Sequence, residues 1–370
     1  MAKENVRICV VGGGHLTPAL ATIEKLLDKK ASILFVGREV TDIYNSASKE
    51  MLEAEKLGVG FETISPAKFH RKPLSRNVSE PKKALISIAQ AFKIIRRFNP
   101  DVVLCFGGYV ALPIALIARL KSIPIITHEQ TSVLGKSNQV ISKFATRLAI
   151  SWESSVAQSN KVILTGNPIR TQITNKQATP EWFQKQKLPL IYITGGNQGA
   201  RDINRYIVNN LEKLTKKYQL IHQTGDARDR EDYNLALQAK KSLPKTLRKN
   251  YSPKTWLADK EVAWLMQSAD LVVGRSGANT IAELLVNETN SLLIPLPFSA
   301  KGEQYANAQK AVQMGFGAIL EEKDLDCLSE EIEKRIFHKV SLSEYGKKMK
   351  ELHLKAASML AGIVLACVEE

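Results

Sequence analysis

Short apolar runs alternate with amphipathic helical patterns along almost the whole chain, and no other feature limits the fold so tightly. The runs cover residues 7–11, 31–36, 59–63, 102–106, 123–127, 147–150 and 162–164 in the first half. In the second half they cover 190–194, 219–223, 251–254, 271–273, 291–294 and 318–320. Strands that are apolar throughout are buried on both faces, which calls for parallel sheets with helices on either side. The pattern occurs twice, on either side of a joint at Thr165-Gly166-Asn167-Pro168. The expected class is therefore α/β, with two doubly wound, Rossmann-like domains facing across a cleft and ligands at the carboxyl ends of the strands. The domains are expected at 1–165 and 166–340, with the helical segment 341–370 packing back on the first.

A length of 370 residues suits two ordinary domains, and a 44% hydrophobic share excludes a disordered chain. The four cysteines have no CxxC or Cys-His spacing, so neither a disulfide framework nor a zinc site is implied. Residues 102–118 carry no charge, yet Gly107-Gly108 and Pro113 divide them into strand, turn and helix start. The stretch is also short of the ~20 residues a membrane span needs. The net charge of +15 is uneven: residues 68–97 hold a cluster of lysines and arginines against the single acid Glu80, interleaved with Phe69, Leu85, Ile86 and Phe92. A basic rim around an apolar face suits an anionic membrane surface. Nucleic acid is not expected as a partner, because aromatics spaced for base stacking are lacking.

Unusual residues sit where strands give way to turns. Gly12-Gly13-Gly14-His15 follows the first run, and three glycines let backbone approach a ligand closely, with His15 beside them. A histidine there reads equally as a general base or as a structural hydrogen-bonder. Gly107-Gly108-Tyr109 forms a second close-approach turn, and His128-Glu129-Gln130 is a polar cluster directly after a strand, with Asn138 on the next helix. Arg170 lies at the joint, within reach of a diphosphate. Gly195-Gly196-Asn197-Gln198-Gly199 lacks the GxGxxG spacing and the acidic residue of a dinucleotide site, which argues against hydride transfer. Arg275-Ser276-Gly277-Ala278 runs from a buried strand into a helix opening at Asn279 or Thr280, so N–H groups and a positive dipole end converge where a phosphate fits. Glu283, one turn in, is placed for a ribose diol, and Gln304 and Asn307 open a later helix as amides suited to reading a sugar. Asp324-Leu325-Asp326 is expected to be a surface helix cap rather than a metal-binding carboxylate pair.

In order along the chain, GGGHLTPALA, FGGYVALP, HEQTSVLGKSN, TGNPIR, TGGNQGARDIN, RSGANTIAELL and EQYANA resemble the MurG family, the peptidoglycan N-acetylglucosaminyltransferases of GT-B architecture. The resemblance runs from Gly12 to about Gly317. It implies an inverting transfer of N-acetylglucosamine from UDP-N-acetylglucosamine to an undecaprenyl-diphosphate-linked muramyl pentapeptide, lipid I. It places the enzyme peripherally on the cytoplasmic face of the bacterial membrane. His15 matches the family's base. Donor-binding positions are Arg170, Asn197, Gln198, Gly199, Leu257, Ser276, Gly277, Glu283, Gln304 and Asn307, with uracil read by backbone near Trp256-Leu257. Gly13, Gly14, Gly107, Gly108, Tyr109, His128, Glu129 and Asn138 fall on the acceptor side. Neither cofactor nor metal is expected, since helix N-termini and Arg170 meet the leaving diphosphate.

Three positions depart from the family pattern. The first turn is shortened from GGTGGH to GGGH, Asn197 stands where serine is usual, and Glu303 replaces the first glutamine of a pair. These departures keep open a related UDP-sugar transferase acting on another lipid acceptor. A UDP-sugar epimerase of similar fold is a further alternative, though carboxylates around the sugar beyond Glu283 and Glu129 are not found.

Overall fold

A computed structural model describes residues 5–13, 16–38, 48–65, 80–153, 159–196, 199–225, 230–299 and 302–369. The chain divides into two compact units: the first holds the residues up to Arg170 together with Leu352 onward, and the second holds Thr171–Glu351.

Unit 1 is built on β1 (Arg7–Val11), β2 (Ser32–Gly37), β3 (Gly60–Thr63), β4 (Val102–Cys105), β5 (Ile125–Glu129), β6 (Arg147–Ile150) and β7 (Val162–Leu164). These strands are all parallel, in the order β3-β2-β1-β4-β5-β6-β7. Its crossover helices are α1 (Leu16–Asp28), α2 (Lys49–Lys56), α3 (Glu80–Phe98), α4 (Gly108–Leu120) and α5 (Lys136–Ile141). Alternate residues of β1 serve opposite faces of the sheet, as the period of two requires. Ile8 and Val10 pack with α1, while Cys9 and Val11 pack with Ile95 of α3 and Ile114 of α4.

Unit 2 repeats the plan with β8 (Leu190–Thr194), β9 (Gln219–Gln223), β10 (Tyr251–Lys254), β11 (Leu271–Gly274), β12 (Ser291–Leu293) and β13 (Gly317–Ile319). The order is β10-β9-β8-β11-β12-β13, again parallel. Its helices are α6 (Thr171–Thr174), α7 (Arg201–Asn209), α8 (Leu211–Lys217), α9 (Glu231–Ser242), α10 (Asp259–Ser268), α11 (Ala278–Val286), α12 (Glu303–Met314) and α13 (Leu328–Arg335). Asp324 and Asp326 lie in a 3-10 turn, Glu322–Cys327, that leads into α13. The last helix, α14 (Glu344–Glu369), runs unbroken out of unit 2 and into unit 1. By length and composition α14 could cross a membrane. Its apolar run has an occupation in the protein, however: Leu360, Ala361, Val364 and Cys367 are buried against β1 and α1.

The strands fall within two residues of the expected ranges; the central ones are buried on both faces, whereas the edge strands β3 and β7 are only partly buried. Two local differences matter. Strand β5 continues through His128 and Glu129, which pair with Ala149 and Ile150 of β6, so the polar cluster expected after the strand is its end. Helix α4 starts at Gly108 and contains Pro113 in its interior, rather than starting near the proline.

Candidate active site

In each sheet the winding reverses at one place, between β1 and β4 in unit 1 and between β8 and β11 in unit 2. Connections from such a pair of strands leave in opposite directions, so a crevice opens at their carboxyl ends. The glycine turns singled out in the sequence follow these four strands.

In unit 1, Gly13 and Gly108 hold φ of 78°, where side chains are strained. A Cβ on Gly108 would lie 2.2 Å from the Gly13 carbonyl oxygen, so the two turns touch through backbone alone. Gly107 is the N-cap of α4 and supplies no side-chain cap, which leaves the helix N-terminus facing the crevice. Tyr109, the next residue but one, is half exposed. Gly14 and His15 lie outside the described residues.

The β5 cluster has a different occupation from the expected acceptor contact. Glu129 is buried and accepts from Thr131 N at 3.0 Å, Thr131 Oγ1 at 2.8 Å, Gly135 N at 2.8 Å and Asn138 Nδ2 at 3.0 Å. Asn138 Oδ1 accepts from Thr127 Oγ1 at 2.7 Å, and its Nδ2 also donates to the His128 carbonyl. A Cβ on Gly107 would sit 3.1 Å from Asn138 Nδ2, so the cluster props the Gly107 turn from beneath. His128 is 1% exposed, with Nε2 3.2 Å from both the Gly166 carbonyl and Ser151 Oγ. These side chains shape unit 1 from inside.

Arg170 likewise differs from expectation. Its Nη2 lies 3.1 Å from Glu53 Oε2 and its Nε 3.9 Å from Glu24 Oε1, so α1 and α2 already neutralise the guanidinium. Only 12% of its side chain is exposed. Reaching a diphosphate would require it to leave both carboxylates.

Unit 2 presents more side-chain chemistry. A Cβ on Gly274 would lie 2.2 Å from the Thr194 carbonyl oxygen and one on Gly199 2.0 Å from the Thr224 carbonyl oxygen, so these turns also require glycine. Gly277 is the N-cap of α11 and makes no side-chain cap, while Asn279, Thr280 and Glu283 are partly exposed along the first turns. Ser276 is fully buried, and its Oγ donates to the Gln304 carbonyl at 2.7 Å. The Ser276 carbonyl accepts from Asn307 Nδ2 at 3.1 Å. Gln304 Oε1 accepts from Leu296 N at 3.0 Å. The Ser276-Gly277 turn and the first turns of α12 are thus bolted together. Asn307 is fully buried, and its Oδ1 has no hydrogen-bond partner among the described residues. Leu257 is 2% exposed, so its backbone is what it can offer, and the neighbouring Trp256 is 44% exposed. Asn197 and Gln198 lie outside the described residues.

Two family models match the chain in turn. The glycosyltransferase family 28 N-terminal domain matches residues 8–150, and the C-terminal domain of the same family matches residues 190–360. A UDP-N-acetylglucosamine–N-acetylmuramyl-(pentapeptide) pyrophosphoryl-undecaprenol N-acetylglucosamine transferase from Clostridium novyi (strain NT) is 30% identical, with 98% of each chain covered. The chain belongs to glycosyltransferase family 28. Its fold is that of Acinetobacter baumannii MurG, which matches at a TM-score of 0.67 and 22% identity over 97% of this chain and 99% of the other. A Neisseria meningitidis UDP-GlcNAc 2-epimerase bound to UDP-GlcNAc shares the fold at a TM-score of 0.60 and 14% identity, covering 98% of this chain and all of that one.

Within this family 28 chain the titratable groups sort by burial. Burial pushes the Tyr192 phenol up, Thr194 opposes this by a hydrogen bond, and the nearby Glu283 charge raises it further. Burial lowers His222 to about 3; its ring sits between Tyr251 Oη and Asn204 Oδ1, each 2.9 Å away, and stays neutral. Lys310, two turns into α12, is pushed down to about 8 by burial. Among the described residues no group of three or more His, Cys, Asp or Glu side chains is placed to hold a metal ion.

In unit 1, α3 and α4 expose Leu85, Ile86, Phe92, Leu116 and Leu120. Lys82, Lys83, Lys93, Arg96, Arg119 and Lys121 are exposed around them, with Lys121 Nζ over the Phe92 ring at 5.4 Å. The expected basic-apolar segment continues N-terminally into residues 66–79, which lie outside the described residues.

The sequence reading gave no role to Thr280 or Tyr305, although both are partly exposed on the first turns of α11 and α12. For Thr280 the signal was position: helical periodicity puts it three residues from both Gly277 and Glu283, on one face of α11. Glu24 and Glu53 carried no local signal, since they meet Arg170 only through the fold.

Proposed function

We propose that this chain transfers N-acetylglucosamine from UDP-N-acetylglucosamine to the 4-hydroxyl of the N-acetylmuramyl sugar of an undecaprenyl-diphosphate-linked pentapeptide. The observation that carries the reading is the unit 2 switch point, where an N-cap without a side-chain cap, a partly exposed Glu283 and the Ser276–Asn307 bolt stand together. Phosphate, ribose and sugar have one feature each. The Gly277 turn meets diphosphate, Glu283 takes the ribose hydroxyls, and Gln304 with Asn307 reads the sugar. Uracil lies against the backbone at Leu257.

In the transfer, the muramyl 4-oxygen attacks the anomeric carbon from the face opposite UDP. The bond from that carbon to the β-phosphate oxygen breaks, and UDP leaves with the electron pair. His15 takes the hydroxyl proton, a role suited to a side chain that titrates near neutrality. Charge developing on the diphosphate is met by oriented N–H groups at the start of α11 and at Gly199. The acceptor diphosphate is held at the Gly13 and Gly107–Gly108 turns by backbone and by the α4 N-terminus.

The apolar, lysine- and arginine-rimmed face of α3 and α4 seats the enzyme on anionic lipid at the cytoplasmic face of the membrane, where its acceptor resides. Each cation near such a surface contributes about 1 kcal/mol. The decisive experiment is UDP release from UDP-N-acetylglucosamine with and without lipid I. Acceptor-dependent release supports the proposal. Isomerisation of the donor without acceptor, or release only with a different lipid, overturns it.

A further inference from the structure

The Gly199 turn of unit 2 rests so closely on the Thr224 carbonyl that a Cβ at Gly199, where φ is 78°, would lie 2.0 Å from that oxygen. Helix α7 starts directly after the turn. Its N-cap, Ala200, offers no side-chain partner to the first N–H groups, which leaves them facing an anion at the turn. A buried polar chain holds both features from behind.

Asn204, on the first turns of α7 and 2% exposed, is the near end of that chain. Its Nδ2 lies 2.9 Å from both the Thr224 carbonyl and Asp232 Oδ2, and 3.4 Å from where a Gly199 Cβ would stand. Two acceptors facing that atom identify it as the amide nitrogen, so the amide oxygen is what faces His222. An amide oxygen only accepts, and His222 Nε2, 2.9 Å away, must therefore carry the ring proton. The other nitrogen of a neutral imidazole accepts, and Tyr251 Oη donates to Nδ1 at 2.9 Å. Donation thus runs one way, from Tyr251 to His222 to Asn204 to the Thr224 carbonyl. His222 and Tyr251 are fully buried, on the neighbouring strands β9 and β10. Without the imidazole, Asn204 Oδ1 would be a buried acceptor lacking its donor, and rotating the amide to find another would pull Nδ2 away from Thr224.

We propose that His222 is a positioning residue for the donor diphosphate: by fixing Asn204 it holds the Gly199 turn and the start of α7 in the form that meets an anion. The proposal rests on the transferase reading only in taking a nucleoside diphosphate as the ligand of that turn. Uridine, which has no phosphate, should be indifferent to His222.

The test is calorimetry of the full chain with uridine and with UDP, beside a sugar-transfer assay. The parent protein should bind UDP more tightly than uridine. His222→Phe keeps a ring in the core but removes the donor to Asn204. It should weaken UDP about tenfold, the worth of about one hydrogen bond to a charged group, and leave uridine within about twofold. His222→Gln, whose Nε2 can donate where the imidazole Nε2 does, should restore UDP to within about threefold of the parent. Tyr251→Phe frees the ring to take the other tautomer, whose Nε2 repels Asn204 Oδ1, and it should weaken UDP about threefold with uridine again unmoved. This variant carries the test should His222→Phe fail to fold. Unchanged UDP affinity overturns the positioning role, as do equal losses for uridine and UDP, a loss that His222→Gln does not restore, or a parent that binds both ligands alike. The selective UDP loss in a protein that transfers no sugar overturns the transferase reading and leaves the positioning role standing.

Discussion

Units 1 and 2 place glycine turns at the same point of the same strand arrangement, yet they offer a ligand different things. At the unit 1 switch point Gly13 and Gly108 meet backbone to backbone, and the acids and amides behind them are consumed within the protein. At the unit 2 switch point the turns also touch, but Thr280 and Glu283 remain partly exposed along α11, while Asn307 is as buried as Asn138. Backbone recognises shape and negative charge without reading a particular substituent. Side chains read hydroxyls and amides one by one. On the proposed reading, unit 1 meets a diphosphate on a large lipid-borne molecule and unit 2 a small nucleotide sugar.

The largest effect on this contrast is expected at His15, the proposed base. His15→Ala is expected to lower turnover roughly 10²–10⁴-fold while UDP affinity stays near the parent value, since the base belongs to the acceptor side. Calorimetry with UDP beside a transfer assay separates the two, and full activity would remove His15 from the mechanism. Next is the buried acid of unit 1. Glu129→Gln replaces an oxygen that accepts N–H donors with a group that repels them, and a destabilisation of about 2–3 kcal/mol is expected in urea unfolding. A variant of unchanged stability whose acceptor KM rises would instead make Glu129 a ligand contact, and the contrast between the units would fail.

His222 gives unit 2 a pH dependence of known sign. The folded imidazole is held to about 3, against 6.5 for the free side chain, so the unfolded chain binds the extra proton between these values. Stability is complete above pH 6.5 and declines as pH falls toward 3, by about 2 kcal/mol at pH 5 from this group. Urea midpoints at pH 7 and pH 5 should lose that difference in His222→Gln. The smallest effect is expected at the ribose. Glu283→Ala should weaken donor binding about tenfold, the worth of one hydrogen bond to a charged group, with acceptor KM unchanged. A shift in acceptor KM of equal size would mean that Glu283 serves both substrates.

Much of this was legible from residues alone. Runs such as Leu190–Thr194 and Leu271–Gly274 are apolar on both faces, and only a covered parallel strand satisfies that pattern, so the strands fell within two residues of expectation. The glycine turns were legible because φ near 78° and a carbonyl 2.2 Å from a missing Cβ leave no other residue free of strain. Polar residues were harder. His128, Glu129 and Asn138 carry the same signal in sequence whether they face a ligand or one another, and burial alone distinguishes the two cases.

Local chemistry in the chain therefore fixed which segments become strands, where backbone must come close, and where a helix would open toward an anion. Each of those follows from a few neighbouring residues. Pairings between distant positions were settled by packing: Arg170 with Glu53 across 117 residues, and Asn167 with His353 across 186. Such partners are chosen by where the sheet and its helices set them down in space, and no short stretch of sequence records that.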